Sequence, residues 1–207
     1  MMTLDGESDI QLLQLALAGE EAAFTTFDRR WQGGIYRFAQ RISNSGPIAE
    51  DVTQEVFLTL MDGASRYDPA LGPFSSYIYG IARNHVLRRM NRERRFAPMM
   101  EDSHGGDETI DNHPGIFVDP LGNVVRQEII QSLHRAIATL PLRYREVVVL
   151  CELQELDYAA AARVIGCPEG TIRSRLHRAR TILLDKLRET AGEKSRTPGI
   201  EPARCLL

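Results

Sequence analysis

Hydrophobic residues recur at helical spacing along most of the chain, and the pattern is sharpest near the C-terminus. On a 3.6-residue period, one apolar stripe is formed by Ile172, Leu176, Ala179, Leu183 and Leu187. The opposite side of this predicted helix, called the recognition face below, is polar and basic and carries Thr171, Arg173, Ser174, Arg175, His177 and Arg178. Guanidinium groups and hydroxyls suit contacts with base edges and phosphates in a DNA major groove. The alternative is a solvated basic face.

A turn and a short helix precede the recognition face. Gly166 can adopt the left-handed conformation of a tight turn, and Pro168 suits the first position of a helix. Asp157 is the predicted N-cap of the preceding helix, whose alanine run, Ala159 to Ala162, favours helix formation and allows close helix approach. The residues expected on one side of that short helix are Tyr158, Ala162 and Ile165. The combination predicts a helix-turn-helix.

Two further helices are predicted upstream of the helix-turn-helix. The first follows the start signal Asp119-Pro120, and its apolar positions are Val125, Ile129, Leu133, Ile137 and Leu140. Leu140-Pro141 marks a boundary, after which a buried helix is predicted to hold Val147, Val148, Leu150, Cys151 and Leu153. The C-terminal part is therefore expected to be a compact all-helical domain.

The N-terminal part predicts its own set of helices. Two of them are marked by Ile10, Leu13 and Leu17 and by Phe24, Phe27, Trp31, Ile35 and Phe38, and Gly33-Gly34 weakens the second locally. A third, from about Ile48 to Ala64, has a core face of Val52, Val56, Thr59 and Leu60. Its other face carries Asp51, Gln54, Glu55, Leu58 and Asp62. A leucine among polar side chains suits a protein interface, although single exposed leucines are ordinary on any surface.

A loop and a long helix complete the N-terminal part. The loop runs from Arg66 to Pro73, and the helix is expected from about Phe74 to Arg95. That helix begins aromatic, with Phe74, Tyr77 and Tyr79, and ends basic, with Arg83, Arg88, Arg89, Arg92, Arg94 and Arg95. Aromatic rings beside arginines offer stacking platforms and phosphate neutralisation, which suit single-stranded DNA. The alternative is a set of core aromatics followed by a solvated helix end.

The charge of the chain is segregated into patches. The net charge is −3, which alone would argue against DNA, but local patches govern the binding field. Between Phe96 and Val125 there is no lysine or arginine, and the acidic residues there are Glu101, Asp102, Asp107, Glu108, Asp111 and Asp119. The predicted fold is all-α, with two small helical domains, 1–95 and 123–190, joined by a flexible acidic linker, 96–122, and followed by a disordered tail, 191–207.

Four motifs in this order resemble those of bacterial RNA polymerase sigma factors of the extracytoplasmic-function group within the sigma-70 family. D-V-T-Q-E-V-F at Asp51 to Phe57 looks like the family's polymerase-binding helix. F-S-S-Y-I-Y-G-I-A-R-N at Phe74 to Asn84 looks like its promoter-melting helix. L-P-L-R-Y-R-E-V and G-T-I-R-S-R-L-H-R-A-R look like its −35-recognition domain. The chain departs from the family in Y-A-A-A-A at Tyr158 to Ala162, where acidic residues and an isoleucine are usual, and in Tyr77, where tryptophan is common.

The resemblance implies a role for each segment. The 1–95 domain would be the region 2-like domain and the 123–190 domain the region 4-like domain. Core RNA polymerase would be bound by Asp51, Gln54, Glu55, Phe57 and Leu58. The −10 element would be bound by Arg66, Tyr67, Asp68, Arg83, Asn84 and Arg88, and the −35 element by the recognition face. The expected partners are core polymerase, promoter DNA and an anti-sigma factor, and the expected activity is promoter-specific initiation of transcription, aided by promoter melting.

Two other functional classes fit the sequence less well. A stand-alone helix-turn-helix regulator would need a dimerisation or ligand-binding element, and it would leave the Asp51 helix unexplained. A nucleic-acid enzyme would need a phosphate-binding loop or a nucleophile with its base, and no such pattern is present, so we expect a protein that is not an enzyme. Co-purification with the large polymerase subunits discriminates a sigma factor from a repressor.

The sequence predicts neither a metal site nor a cofactor. Cys151, Cys167 and Cys205 lack the spacing of a zinc site or a disulfide framework, and His104 and His113 stand in the predicted linker without partners. No apolar run is long enough to cross a bilayer, and the N-terminus lacks the order of a signal peptide. We therefore expect a cytoplasmic protein without direct membrane insertion.

Overall fold

The computed structural model describes residues 4–63, 67–96 and 120–194, which form α-helices and no strand. The α-helices are α1 Asp9–Leu17, α2 Glu21–Ser43, α3 Gly46–Gly63, α4 Phe74–Phe96, α5 Pro120–Ala138, α6 Leu142–Val148, α7 Tyr158–Ile165 and α8 Glu169–Lys194. This confirms the all-α prediction. Most of the predicted linker, the end of the predicted tail, Cys205, His104 and His113 lie outside the described residues. The predicted domain boundaries at 95 and 123 fall at the end of α4 and in the first turn of α5, where they remain predictions.

The N-terminal domain consists of α1 to α4 around one apolar core. Ser8 caps α1 in a reciprocal arrangement with Gln11, which satisfies backbone donors at the helix start. Asn44 ends α2 in the left-handed conformation, at a φ of 58°. The predicted core face of α3 is confirmed for Val52, Val56 and Leu60, which are fully buried against α2 and α4.

Aromatic side chains fill the space between α2, α3 and α4. The rings of Phe27 and Phe74 meet edge to face at 5.9 Å, and Trp31 meets Phe74 at 5.6 Å and Tyr79 at 6.1 Å. Edge-to-face pairs add attraction to the burial of apolar area. Phe74 and Tyr79 are therefore core residues, and the expectation that they offer stacking platforms for DNA is wrong because α2 covers their rings.

The C-terminal domain consists of α5 to α8. α6 continues into a π-helical turn, Val149–Leu153, in which the N–H of Gln154 donates to the carbonyl of Val149 at 3.0 Å. Val147, Val148 and Leu150 of the predicted buried helix are buried, but the prediction is wrong for Leu153, which is 37% exposed, and Cys151 is only half-buried. The apolar period of α5 holds only near its end, because Ile137 is buried while Ile129 is 63% exposed.

The helix-turn-helix is built as predicted from α7, a turn and α8. The Asp157 carboxylate accepts from the N–H of Ala160 at 2.6 Å, and Gly166 ends α7 in the left-handed conformation at a φ of 77°. The apolar stripe of α8 is buried from Ile172 to Leu183. The expected side of α7 is wrong: the residues buried are Ala160, Ala161 and Val164, and Tyr158, Ala162 and Ile165 are only half-buried.

The two domains lie directly against each other. α7 packs along α4, and α2 contacts α5, α6 and the π turn. The Ser76 hydroxyl donates to the carbonyl of Ala160 at 3.4 Å, and Arg145 Nη1 donates to the carbonyl of Ile42 at 2.8 Å. This arrangement is called the closed state below.

Candidate polymerase-binding and DNA-binding surfaces

Asp51, Gln54, Glu55 and Leu58, called the docking stripe below, lie along the outer side of α3. Leu58 is 64% exposed, and Asp51 and Gln54 are also exposed. The opposite side of α3 packs into the core, so the stripe faces away from the core, and its carboxylates Asp51 and Glu55 lie beside Arg89 of α4. The stripe thus presents an apolar side chain with a polar border, which is the composition of many protein interfaces.

Glu55 ties α3 to α4 through a charged network. It accepts from Arg89 and from His85 Nδ1, the latter at 2.7 Å, while Arg89 Nη1 also lies 3.0 Å from Asp51 Oδ2. Partial burial acts to raise the pKa of Glu55, but hydrogen bonds and charge from Arg89 and His85 outweigh it and hold that pKa below its usual value. Glu55 therefore positions the edge of the docking stripe, a role that its sequence position did not reveal.

Phe57 does not belong to the docking stripe. It is 8% exposed, and its ring meets Phe27 at 6.0 Å and Phe24 at 6.3 Å. The prediction that Phe57 binds polymerase directly is corrected, because a ring inside the aromatic core has no surface to offer a partner.

The loop before α4 is closed by its own hydrogen bonds. Tyr67 donates its phenolic hydrogen to the carbonyl of Gly72 at 2.9 Å, and its ring packs on Phe74 and Tyr77. The Asp68 carboxylate accepts from the N–H of Ala70 at 2.9 Å and is otherwise exposed. Arg66, the first residue predicted to bind the −10 element, lies outside the described residues. Tyr67 therefore positions the loop, and the loop holds Asp68 at its exposed surface.

The predicted DNA-binding residues of α4 do not share one environment. Asn84 and Arg88 are exposed. Arg83 is half-buried, and its Nε lies 2.6 Å from Oε1 of Glu146 in the C-terminal domain. The structure thus brings Asn84 and Arg88 to an open surface and directs Arg83 into the contact between domains. Glu146 was missed by sequence reasoning because no local pattern connects it to a residue so far along the chain.

The recognition face of α8 is open to solvent over most of its length. Arg173, Ser174, His177 and Arg178 are exposed, and Thr171 and Arg175 are half-buried. Arg173 pairs with Glu169 one turn earlier, at 3.2 Å. All six side chains lie on α8, as the helical spacing of the sequence predicts.

Arg178 is also connected to α6. It hydrogen-bonds to the side chain of Tyr144, and that contact is the main cause that holds the pKa of Tyr144 below its usual value. Arg143 lies over the Tyr144 ring at 4.8 Å. Tyr144 therefore positions Arg178, and the motif L-P-L-R-Y-R-E-V, which carries Tyr144, was the available signal for it.

The described residues contain no group of three or more His, Cys, Asp or Glu side chains that could hold a metal ion. None of the helices in the described ranges is both long and apolar enough to cross a membrane. Cys151 and Cys167 are free thiols, and burial raises the pKa of Cys151 to about 11. A thiol with a raised pKa is a poor nucleophile at neutral pH.

Comparison with known proteins places both domains in one family. Residues 27–96 match the model of Sigma-70 region 2, and residues 130–183 match that of Sigma-70, region 4. The chain is 31% identical to the ECF RNA polymerase sigma factor SigE of Mycolicibacterium smegmatis, over 86% of this chain and 68% of the relative. It is 34% identical to SigC of Mycobacterium tuberculosis, over 88% of this chain and 95% of the relative.

The chain belongs to the extracytoplasmic-function sigma factors. A solved structure of the sigma factor RpoE with the anti-sigma factor NepR, from Bartonella quintana, has the same fold, at a TM-score of 0.59 and 21% identity over 80% of this chain and 96% of that one. As a member of the family, this sigma factor directs promoter-specific initiation of transcription with RNA polymerase. The family assignment confirms the resemblance inferred from the four motifs.

Proposed function

We propose that this sigma factor docks on core RNA polymerase through the docking stripe and binds promoters through two separate surfaces. The recognition face of α8 contacts the −35 element. The loop before α4, together with Asn84 and Arg88, contacts the −10 element. The observation that carries the proposal is the exposure of Leu58 among polar side chains on a helix whose opposite face is fully packed.

The DNA-binding part rests on the chemistry of the exposed side chains. Arginines and hydroxyls on α8 can form bidentate contacts with guanine and contacts with phosphate. Extruding a base from the −10 element costs a few kcal/mol, which contacts from a fixed loop must offset. The hydrogen bond from Tyr67 to Gly72 and the cap at Asp68 fix that loop before DNA arrives. Joining two weak contacts through one polymerase makes the second effectively intramolecular.

We also propose that an anti-sigma factor covers the docking stripe, in the cytoplasm where polymerase acts. An exposed leucine flanked by Asp51 and Gln54 offers such a partner the same surface that polymerase would use. Competition between the two partners then sets how much sigma factor is available. Adding an excess of core polymerase should release the anti-sigma factor if the sites overlap.

Reconstituted transcription tests the proposal. Purified core polymerase with this protein should transcribe a subset of a promoter library whose members share a −35 and a −10 sequence, and core polymerase alone should not. Binding of the protein to an operator as a symmetric dimer, without binding to polymerase, would support the stand-alone regulator instead. Sedimentation of the mixture shows whether the protein forms a complex with polymerase or a dimer on DNA.

A further inference from the structure

His85 of α4 lies between a hydroxyl and a carboxylate of α3. Its Nδ1 stands 2.7 Å from Glu55 Oε2, and its Nε2 stands 3.1 Å from the hydroxyl oxygen of Thr59. The His85 side chain is 16% exposed, so water has little room to replace either partner. Glu55 belongs to the docking stripe, whereas His85 stands outside it and outside the four sequence motifs.

The hydrogen bonds around the His85 ring determine which of its nitrogens carry hydrogen. The Thr59 hydroxyl donates its single hydrogen to the backbone carbonyl of Glu55 at 2.7 Å, the shorter of its two contacts. The Thr59 oxygen is thus left to accept from the Nε2–H of His85. The carboxylate of Glu55 can only accept, so Nδ1 of His85 donates as well. A ring that donates from both nitrogens is an imidazolium.

Glu55 is held from two sides by cations of α4. Arg89 donates to Oε1 of Glu55 through Nε, at 3.2 Å, and through Nη2, while His85 donates to Oε2. An ionised carboxylate offers about four acceptor sites, so these bonds leave about one for another donor. The Glu55 side chain is 32% exposed, so a partner that covers the docking stripe can reach that site.

The same two cations balance the negative charge of the docking stripe. Asp51 and Glu55 each bring a carboxylate, and Arg89 lies 3.0 Å from Asp51 Oδ2 as well as against Glu55. The other charged group that acts on Arg89 is Glu93 of α4. An imidazolium at His85 thus supplies the second positive charge of this network. When the ring loses a proton, one carboxylate charge is left without its counterpart and the hold on Glu55 weakens.

We propose that His85, as an imidazolium, is a positioning residue for polymerase binding and holds Glu55 in the orientation that the docking stripe presents to core polymerase. A side chain that is already held in place loses less freedom on binding, which strengthens a complex without adding a contact. The inference rests on the proposed function, because it takes core polymerase as the partner of the docking stripe. The network belongs to α3 and α4 alone, so it does not depend on the closed state.

Nuclear magnetic resonance of the free full chain tests the protonation of His85. The ring nitrogen signals distinguish an imidazolium from a neutral ring, and their change with pH shows where His85 loses its second proton. Thr59→Val removes the acceptor of Nε2–H at nearly constant shape, and Glu55→Gln removes the charged acceptor of Nδ1–H. Both variants should lower the pH of this titration, because they remove partners of the charged ring. An unchanged titration in both would overturn the inference.

Affinity for core polymerase tests the positioning role. His85→Phe keeps a ring of similar size and removes both donors, so binding should weaken about two- to tenfold, the range expected when one flexible side chain is no longer ordered in advance. In the wild-type chain, affinity should fall as the pH rises through the measured titration of His85, and His85→Phe should lose this step. His134→Gln, at a half-buried histidine of the C-terminal domain, is the control and should keep it. Thermal melting by circular dichroism checks that both variants are folded.

A double-mutant cycle separates positioning from a general loss of structure. If His85 acts through Glu55, His85→Phe should weaken binding little further in a chain that already carries Glu55→Gln. Equal losses in both backgrounds, or a wild-type affinity that does not follow the titration of His85, would overturn the inference. Leu58→Arg judges the proposed function separately. Normal polymerase binding by Leu58→Arg would remove the docking stripe itself, whereas lost binding by Leu58→Arg with normal binding by His85→Phe would remove only the role of His85.

Discussion

Tyr67 and Gly72 are joined by a hydrogen bond of 2.9 Å that closes the loop between α3 and α4. Tyr67→Phe keeps the ring in contact with Phe74 and removes this closure, so we expect weaker selectivity at the −10 element with unchanged −35 preference. Transcription from separate −10 and −35 libraries measures both. Tyr77→Phe is the control, because the Tyr77 ring packs in the same cluster and its hydroxyl makes no hydrogen bond to any described residue.

Exchanging the whole loop, residues 66–73, extends this test. A loop of different sequence should change which −10 elements are used, because the loop and the recognition face belong to separate domains. A change in −35 preference instead would show that the loop has been assigned to the wrong element.

Leu58→Arg should abolish binding to core polymerase. An unpaired charge forced into an interface is costly, whereas the same charge in solvent costs the free protein within about 0.5 kcal/mol of its stability. Pull-down with purified core polymerase, alongside thermal melting by circular dichroism, measures the two effects. Leu17→Arg on α1 is the control, because Leu17 is also an exposed leucine of the N-terminal domain.

Early melting of Leu58→Arg would mean that this face of α3 is part of the core. Normal melting with normal polymerase binding would remove the docking stripe from the proposal and would leave the other surfaces in place. Gln54→Arg should behave as Leu58→Arg does, because Gln54 stands one turn earlier on the same stripe.

Arg178→Ala should cost about 1–3 kcal/mol and relax preference at one base pair if Arg178 contacts a base edge. If it contacts only phosphate, the loss should be uniform across sequences, with a salt slope lower by about one. Run-off transcription from promoters randomised at −35 distinguishes these results. Tyr144→Phe should give a smaller loss of the same kind, because it removes the hydrogen bond that positions Arg178.

His134 should make the protein lose stability in mild acid. Burial, and then the charge of Arg41, lowers the pKa of His134 from 6.5 to about 4, and its Nδ1 has no hydrogen-bond partner in the described part of the chain. The unfolded chain therefore binds the proton more tightly, so the free energy of unfolding falls as the pH drops from about 6.5 to about 4. Above about pH 6.5, His134 is neutral in both the folded and the unfolded chain, so it no longer changes the free energy of unfolding.

Denaturant unfolding at several pH values measures this dependence. His134→Gln should flatten the slope between pH 6.5 and 4 while leaving the loss below about pH 4.5 that the lowered pKa of Glu55 causes. An equal slope in the wild-type protein and His134→Gln would contradict the assignment to His134.

The sequence predicted the helices well because each has an apolar side of its own. The stripe from Ile172 to Leu183 and the core face of α3 depend on neighbours within one domain, and spacing reports them faithfully. The side of α7 was predicted wrongly, since a run of four alanines has no hydrophobic contrast to follow. Its buried side depends on α4, from the other domain, as well as on α8.

The candidate surfaces, too, could be predicted where they depend on one helix and could not where they depend on the contact between domains. Exposure of the recognition face follows from helical spacing, and so does exposure of Leu58. The pairing of Arg83 with Glu146, 63 residues later, depends on how the domains meet, and local pattern contains no information on that. Phe57 was misassigned because it stands at the border of the two faces, where spacing decides nothing.

The π turn from Val149 to Leu153 has a consequence for insertions and deletions. A π turn holds one residue more than the α-helical turn it replaces, and each residue of an α-helix rotates the chain by about 100°. Deleting one residue there would change few of the side chains in the core. It would, however, rotate Gln154 away from Tyr79. Chain length at this single point, more than the identity of any side chain, would then decide whether a related protein can close.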